Sequence, residues 1–215
     1  MTHPISEPPS HPQVEPMRSA VERIAAFAAA ARPAQLTSGI RHLFKRNILD
    51  SLGCAIAALP GQSFHALREQ FEEYRAPGRC TLIGGGKTSA DQAALFNSGL
   101  VRYVDLLDSY MAPGGLCHPS DNFGTVLAAA EQAGASGEEF MLALAVAYEI
   151  QCRFTAAVPV MAKGFNHATQ RARGNSSDSP LAKSRMRSVL QPPITSRSPV
   201  STSNLYRSGR ASRPE

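Results

Sequence analysis

Two carboxylates, two hydroxyls and an imidazole occur within one short polar stretch of this chain. Asp105 and Asp108 are followed by Ser109 and Tyr110, and His118 comes after a Pro/Gly segment. A carboxylate, hydroxyls and a histidine brought together can bind a polyacid and move a proton from the carbon next to a carboxylate. The alternative interpretation is that the aspartates are solvated and that His118 caps the next helix, since such groupings are common.

The spacing of these residues predicts how they are held. Apolar, Ala-rich segments flank the stretch on both sides, and loops held by rigid helices often carry catalytic groups. Asp105 and Asp108 are three residues apart, so at the end of a helix they would share one face. Ser109 would continue that turn, and residues 113–115, Pro-Gly-Gly, would form a flexible link to His118.

A second histidine, His167, lies just past the last predicted helix, in the segment 164–170. A lone histidine near a helix end is more often a structural donor or a cap than a catalyst. His167 by itself therefore assigns no function.

A run of three glycines, followed by Lys87 and Thr88, partly matches a phosphate-binding loop. The P-loop pattern requires a glycine five positions before its final Gly-Lys, and this chain has Thr81 there. A Gly-rich turn between a strand and a helix is the better interpretation.

Apolar residues recur at three- and four-residue steps over most of the chain, a pattern that predicts helices. Ser89 with Gln92, and Ser136 with Glu139, have the spacing of capping boxes. The fold class is therefore all-α, an Ala-rich helical bundle. The predicted helices cover residues 20–31, 38–59, 63–74, 89–104, 121–132 and 136–154, and the only predicted strand covers 80–83.

Composition divides the chain into three segments. Residues 1–17 are a Pro-rich leader, residues 18–170 form the helical domain, and residues 171–215 are a basic tail rich in Arg, Ser and Pro. Neither end has a periodic apolar face, so both are predicted to be disordered. The tail carries nine of the 22 Lys and Arg residues and two of the 17 acidic ones, so the helical domain with its leader has a net charge of −2. The overall charge of +5 therefore gives no reason to expect nucleic-acid binding by that domain.

Two explanations fit the abrupt change of composition after Gln170. One is a true disordered tail, and the other is a shift of reading frame near that residue. The second is favoured because the sixth helix ends at a site-like motif with nothing left to cover it. We therefore expect the front part of a longer enzyme.

Cys54, Cys80, Cys117 and Cys152 are widely spaced and contain no C-x-x-C pair, so neither a zinc site nor an iron–sulfur cluster is indicated. No apolar run approaches the ~18–20 residues that would span a bilayer. The first residues lack the layout of a secretion or mitochondrial signal. These features predict a cytoplasmic protein with reduced thiols and no membrane partner.

Several motifs occur in an order that carries a family likeness. They are 41–43 (Arg-His-Leu), 49–55 (Leu-Asp-Ser-Leu-Gly-Cys-Ala), 93–97 (Ala-Ala-Leu-Phe-Asn), 105–110 with 118–120 (His-Pro-Ser), 137–149 and 164–170 (Gly-Phe-Asn-His-Ala-Thr-Gln). Together they resemble the MmgE/PrpD family, which includes 2-methylcitrate dehydratase, cis-aconitate decarboxylase and iminodisuccinate epimerase. The likeness covers roughly residues 20–170.

The resemblance implies a large all-α domain and a smaller α+β lid domain, usually in a homodimer. It also implies activity on di- or tricarboxylic acids without a metal or an organic cofactor. The family's Asp, a Thr four residues on and a His in the following loop fall on Asp105, Ser109 and His118. The later family histidine corresponds to His167, although Asn166 intervenes after the Gly-Phe pair.

By this resemblance Asp105 and Ser109 would bind substrate, and His118 and His167 would transfer protons. The predicted reaction removes a proton next to a carboxylate and eliminates water from the neighbouring carbon. An Arg or Lys clamp for the substrate carboxylates is expected, but none is evident before residue 170. Because the family's lid and downstream site residues are absent, we expect little activity from this chain.

Two alternatives remain open beside the dehydratase function. One is decarboxylation or epimerisation by the same fold. The other is a non-catalytic helical interaction protein whose basic tail binds acidic partners. RNA binding by the tail is disfavoured because no aromatic stacking platform accompanies the charge.

Overall fold

The computed structural model describes residues 19–74, 76–113, 115–161 and 164–165. This part of the chain is mainly helical, which confirms the predicted fold class. The predicted leader and tail lie outside the described residues. The helices are α1 (Ala20–Ala30), α2 (Ser38–Ala58), α3 (Gln62–Glu73), α4 (Ala90–Tyr103), α5 (Phe123–Ala133) and α6 (Gly137–Ala157). The strands are β1 (Cys80–Thr81), β2 (Lys87–Thr88), β3 (Tyr110–Ala112) and β4 (Gly115–Cys117), and two 3₁₀ turns cover Pro33–Gln35 and Pro119–Asn122.

Two helix ends lie where the sequence predicted them, the start of α6 and the end of α5. The predicted capping box of α6 is confirmed, because Ser136 accepts from the backbone N–H of Glu139 while the Glu139 carboxylate accepts from the backbone N–H of Ser136. Gly134 ends α5 with a φ of 67°, a left-handed conformation that glycine adopts without steric cost.

The capping box predicted at the start of α4 is wrong. Ser89 is the N-cap residue, but its side chain makes no capping hydrogen bond. Its hydroxyl bonds to the Asp91 carboxylate instead, and the Gln92 side chain bonds to the Thr88 hydroxyl. Both side chains therefore use other polar neighbours in place of the capping contact.

The core is centred on α4, which packs mainly against α5 and α2. Phe96 of α4 is fully buried and stacks edge-to-face on Phe64 with ring centroids 5.6 Å apart. Gly124 of α5 lies against the α4 backbone, and a Cβ at this position would stand 2.3 Å from the Ser98 nitrogen. Small residues therefore allow the two helices to approach closely.

The predicted strand is shorter than expected, since only Cys80 and Thr81 pair, and they pair with β2 in an antiparallel hairpin. Three glycines form its turn, with φ values of 91°, 121° and 89°. The Arg68 guanidinium donates hydrogen bonds to the carbonyls of Ile83 and Gly85. The Gly-rich segment is therefore a turn, as predicted, although it joins two strands rather than a strand and a helix.

A second antiparallel hairpin, β3–β4, was not predicted. Residues 113–115 were expected to be a flexible link, but Gly115 is the first residue of β4, and the register pairs Tyr110 with Cys117 and Met111 with Leu116. The chain therefore turns back on itself between the two polar ends of the predicted site.

Against the expectation from sequence, one helix in the described part, α6, is long and apolar enough by length and composition alone to cross a membrane. Core helices of soluble proteins share these properties. Leu144, Ala145 and Tyr148 of α6 are buried in the hydrophobic core.

Candidate functional site

The base of the β3–β4 hairpin brings Ser109 and His118 together. Ser109 precedes β3 and His118 follows β4. The two residues therefore flank the outermost pair of the hairpin, Tyr110 and Cys117. The His118 Nδ1 atom lies 2.7 Å from the backbone oxygen of Asp108 and 3.3 Å from the Ser109 hydroxyl. A carbonyl oxygen can only accept, so Nδ1 carries the proton. In the neutral ring the basic nitrogen is therefore Nε2.

The side chain of Asp108 is buried beneath this pair. Its Oδ1 atom accepts hydrogen bonds from the backbone N–H of Ser120 at 3.1 Å and from the Ser120 hydroxyl at 2.5 Å. Burial raises the pKa of Asp108, although the Ser120 bonds, the Tyr148 hydroxyl and the charge of His118 each oppose that rise. The structure thus keeps a carboxylate in an apolar setting by giving it specific donors.

Tyr148 reaches Asp108 from helix α6, and Asn47 of α2 lies next to Tyr148. Tyr148 of α6 is buried, and its pKa is raised well above its ordinary value, first by burial and then by the Asp108 charge. The Asn47 side chain of α2 is also buried, and it opposes the rise in the pKa of Tyr148. We call Asn47, Asp108, Ser120 and Tyr148 the polar cluster. It joins α2, the hairpin region (residues 105–122) and α6.

Of the predicted site residues, the structure brings Ser109 and His118 together and leaves Asp105 apart from them. Ser109 and His118 are in contact, whereas Asp105 lies in an exposed ion pair with Arg102 at 3.0 Å, its side chain 74% exposed. The prediction that Asp105 and Asp108 share a helical face is wrong. Helix α4 ends at Tyr103, and Asp105 has a φ of 53°, which a helix does not permit.

His167 lies outside the described residues, so its predicted role stays a prediction. His118 occupies the N-cap position of the 3₁₀ turn at Pro119–Asn122, but its side chain makes no capping hydrogen bond there. The ring bonds to Asp108 and Ser109 instead.

A surface cavity of about 430 Å³ opens beside the hairpin region. Asp50 is in its wall, and burial followed by the Asp108 charge raises the pKa of Asp50, while Arg46 lowers it. The cavity is thus electrostatically coupled to the polar cluster and contains a cation that sequence reasoning missed. Its lining residues are Arg46, Leu49, Asp50, Gly53, Cys54, Ala57, Val104 and Leu106.

The spacing of three residues that line this cavity could be read from the sequence. Arg46, Asp50 and Cys54 follow one another at four-residue steps, which places them on one face of α2. What this face meets depends on residues some 60 positions later in the chain, and no local pattern shows that.

Among the described residues, no group of three or more His, Cys, Asp or Glu side chains could hold a metal ion. Activity without a metal or an organic cofactor stays a prediction.

The fold and the hairpin base together define a helical domain that carries a candidate proton-transfer site. Residues 22–176 match the family described as MmgE/PrpD N-terminal domain. Because this match covers more than half of the chain, the protein belongs to the MmgE/PrpD family, at a coarse level a family of dehydratase-type lyases. The match includes the hairpin base and extends past residue 170, where the helical domain was predicted to end.

Proposed function

We propose that this chain contributes part of the active site of a cofactor-independent lyase of the 2-methylcitrate dehydratase type. Its substrate would be a di- or tricarboxylic acid. The observation that carries the proposal is the pair of contacts from His118 Nδ1 to the Asp108 carbonyl and the Ser109 hydroxyl. These contacts fix the ring and make Nε2 the basic nitrogen. Membership of a lyase family supports the reaction class.

In the proposed reaction, His118 Nε2 takes the proton from the carbon next to a substrate carboxylate. The ring then becomes positively charged, and the nearby Asp108 carboxylate stabilises that charge. The Ser109 hydroxyl orients the substrate. The charged His118 ring then gives its proton to the departing hydroxyl group, which leaves as water and returns the ring to its neutral form.

Arg46 is the proposed clamp for a substrate carboxylate. It lies in the wall of the cavity beside the hairpin region, and a guanidinium can bind a carboxylate with two parallel hydrogen bonds.

The proposal is tested by binding and by proton exchange. The full chain is incubated with 2-methylcitrate or cis-aconitate in D₂O, and NMR follows the histidine ring signals and deuterium entry next to the carboxylates. We expect a shift of the His118 signal, and a His118→Gln variant should lose exchange by a factor of ~10² or more. His65→Gln, at an exposed position of α3, is the matched control and should change nothing.

The products separate the dehydratase from its alternatives. Formation of an alkene with loss of water supports dehydration, release of CO₂ identifies decarboxylation, and exchange with inversion but no elimination identifies epimerisation. A folded wild-type chain whose His118 signal shifts with neither acid would overturn the proposal. Binding of acidic proteins by that same chain would favour the interaction protein.

We further propose that the chain forms a homodimer. Leu49, Ile56 and Leu106 are 59–74% exposed, and exposed apolar side chains of this size favour association. Sedimentation of the purified chain at several concentrations tests this, and a monomer at every concentration would contradict it.

A further inference from the structure

The Asp108 carbonyl that accepts from the His118 ring lies in a segment without regular secondary structure. Residues 105–109 form neither a helix nor a strand, and the β3–β4 ladder begins only at Tyr110. The hydrogen bonds of a strand therefore do not fix the direction of this carbonyl. Its contact with His118 Nδ1, at 2.7 Å, must be held by other parts of the chain.

Ser120 supplies that support from the 3₁₀ turn that follows His118. Its backbone N–H and its hydroxyl both donate to Oδ1 of Asp108, at 3.1 and 2.5 Å. Ser120 is 1% exposed, and its turn packs against α4, α5 and α6. The same turn holds the His118 backbone, because the N–H of Asp121 donates to the His118 carbonyl at 3.0 Å. One packed turn thus fixes both the residue that carries the ring and the residue that binds it.

The Ser109 hydroxyl, the second partner of the ring, does not select one ring form. It lies 3.3 Å from Nδ1, and a hydroxyl can donate or accept, so it is compatible with a proton on either ring nitrogen. The Asp108 carbonyl can only accept, and it therefore selects the Nδ1–H form. Without that carbonyl, Ser109 could donate to Nδ1, and the ring proton would move to Nε2.

We propose that Ser120 is a positioning residue for His118. By holding the Asp108 side chain, Ser120 keeps the Asp108 carbonyl on Nδ1 and leaves Nε2 as the basic nitrogen. The hydrogen bond at one nitrogen of a histidine determines which nitrogen can take a proton. The role in proton transfer rests on the proposed lyase function, whereas the effect of Ser120 on the ring can be measured without any substrate.

The test determines the His118 tautomer in the full chain. The ring nitrogens are labelled with ¹⁵N, and long-range ¹H–¹⁵N NMR of the neutral ring distinguishes Nδ1–H from Nε2–H. The spectrum of His118→Gln assigns the signal. We expect the Nδ1–H form in the wild-type chain. Ser120→Ala, which removes the hydroxyl bond, should shift the ring toward the Nε2–H form that an unconstrained imidazole favours in water. Ser120→Thr keeps a hydroxyl and should keep the wild-type tautomer.

Two further variants complete this experiment. Ser98→Ala removes a hydroxyl that contacts Thr125 between α4 and α5, and it should leave the tautomer unchanged. Asp108→Ala removes the Ser120 link from its other end and keeps a backbone carbonyl at position 108, so it should release the ring as well. It decides the question where Ser120→Ala does not fold. An Nε2–H ring in the wild-type chain, or an Nδ1–H ring in either folded alanine variant, would overturn the proposal.

Proton exchange separates this proposal from the lyase function. Where the wild-type chain exchanges the proton next to a carboxylate of 2-methylcitrate or cis-aconitate, Ser120→Ala should slow exchange about 10-fold or more at saturating acid. Ser120→Thr should stay close to wild type. A released ring with unchanged exchange would overturn the positioning role and leave the lyase function standing. A wild-type His118 signal that shifts with neither acid would overturn the lyase function alone, because a released ring in Ser120→Ala still supports the effect of Ser120.

Discussion

The α4–α5 pair and the hairpin region, residues 105–122, are held together by different forces. Between the two helices, small and apolar side chains pack without direction, and Gly124 lets the backbones approach. In the hairpin region, Asp108, Ser120 and His118 each make hydrogen bonds with defined partners. The α4–α5 pair should therefore be sensitive to substitutions that remove or enlarge apolar side chains. The hairpin region should be sensitive to substitutions that disturb hydrogen-bond geometry. Substitutions can separate the two.

Removing the central aromatic ring should have the largest effect. Phe96→Ala deletes a fully buried side chain that stacks on Phe64 and Phe71, so we expect a loss of about 3–5 kcal/mol in the free energy of unfolding. Leu95→Ala, one residue earlier and 60% exposed, is the control and should change stability by less than about 0.5 kcal/mol. Urea unfolding measures both. Equal losses would show that the core does not lie where the structure puts it.

Adding one methyl group tests the close approach of α4 and α5. Gly124→Ala places a carbon 2.3 Å from the Ser98 nitrogen, so the helices must separate, at a cost of about 1–3 kcal/mol. Gly53→Ala, in the middle of α2, meets nothing within 4 Å and should stabilise by up to about 1 kcal/mol because alanine favours helix. The comparison fails if both variants move urea unfolding in the same direction.

A change of charge without a change of shape tests the hairpin region. Burial raises the pKa of Asp108 above its unfolded value, so the folded state binds more protons and loses stability as pH rises through that pKa. Asp108→Asn keeps an oxygen for Ser120 and removes the buried charge, so it should raise the free energy of unfolding at neutral pH. The gain should vanish in acid, where the wild-type carboxyl is protonated.

Asp105→Asn is the matched control for this experiment. Asp105 is exposed, so its substitution should leave the pH dependence of unfolding unchanged. An Asp108→Asn variant that is less stable than wild type at every pH would show that the charge itself holds the hairpin region together.

The smallest effect is expected at the surface. The Arg41–Glu138 pair joins α2 to α6 at 2.5 Å, and both side chains are a third to a half exposed. Glu138→Gln should cost less than about 1 kcal/mol, and added salt should remove the difference from wild type. A larger, salt-independent loss on urea unfolding would mean that this contact is part of the core.

The same contrast explains what could be predicted from sequence. The helices were predictable because residues such as Phe44, Ile48 and Leu52 repeat with the helical period, and their ends are set by nearby caps. The β3–β4 hairpin was not, because strands of three residues are too short to show an alternating pattern. Pro113 and Gly115 indicated a turn, but not that the chain returns to pair with itself.

The candidate site was predictable only in part. Ser109 and His118 were identified from residue type, and the structure does bring them together. The sequence did not show that only Asp108 is buried at the site. That difference arises because the backbone at Asp105 is left-handed, which places the two aspartates on different faces. Asn47 and Tyr148 join the polar cluster from about 60 and 40 residues away, and distant contacts leave no local pattern.

The short hairpin also has a consequence for how the site assembles. His118 and its two partners are only nine and ten residues apart in the chain, so closing the loop between them costs little conformational entropy. Hairpins of this size form in about 1–10 μs, whereas docking α6 joins residues much farther apart. The histidine can therefore meet its carbonyl partner early in folding, before the helix that supplies Tyr148 has packed.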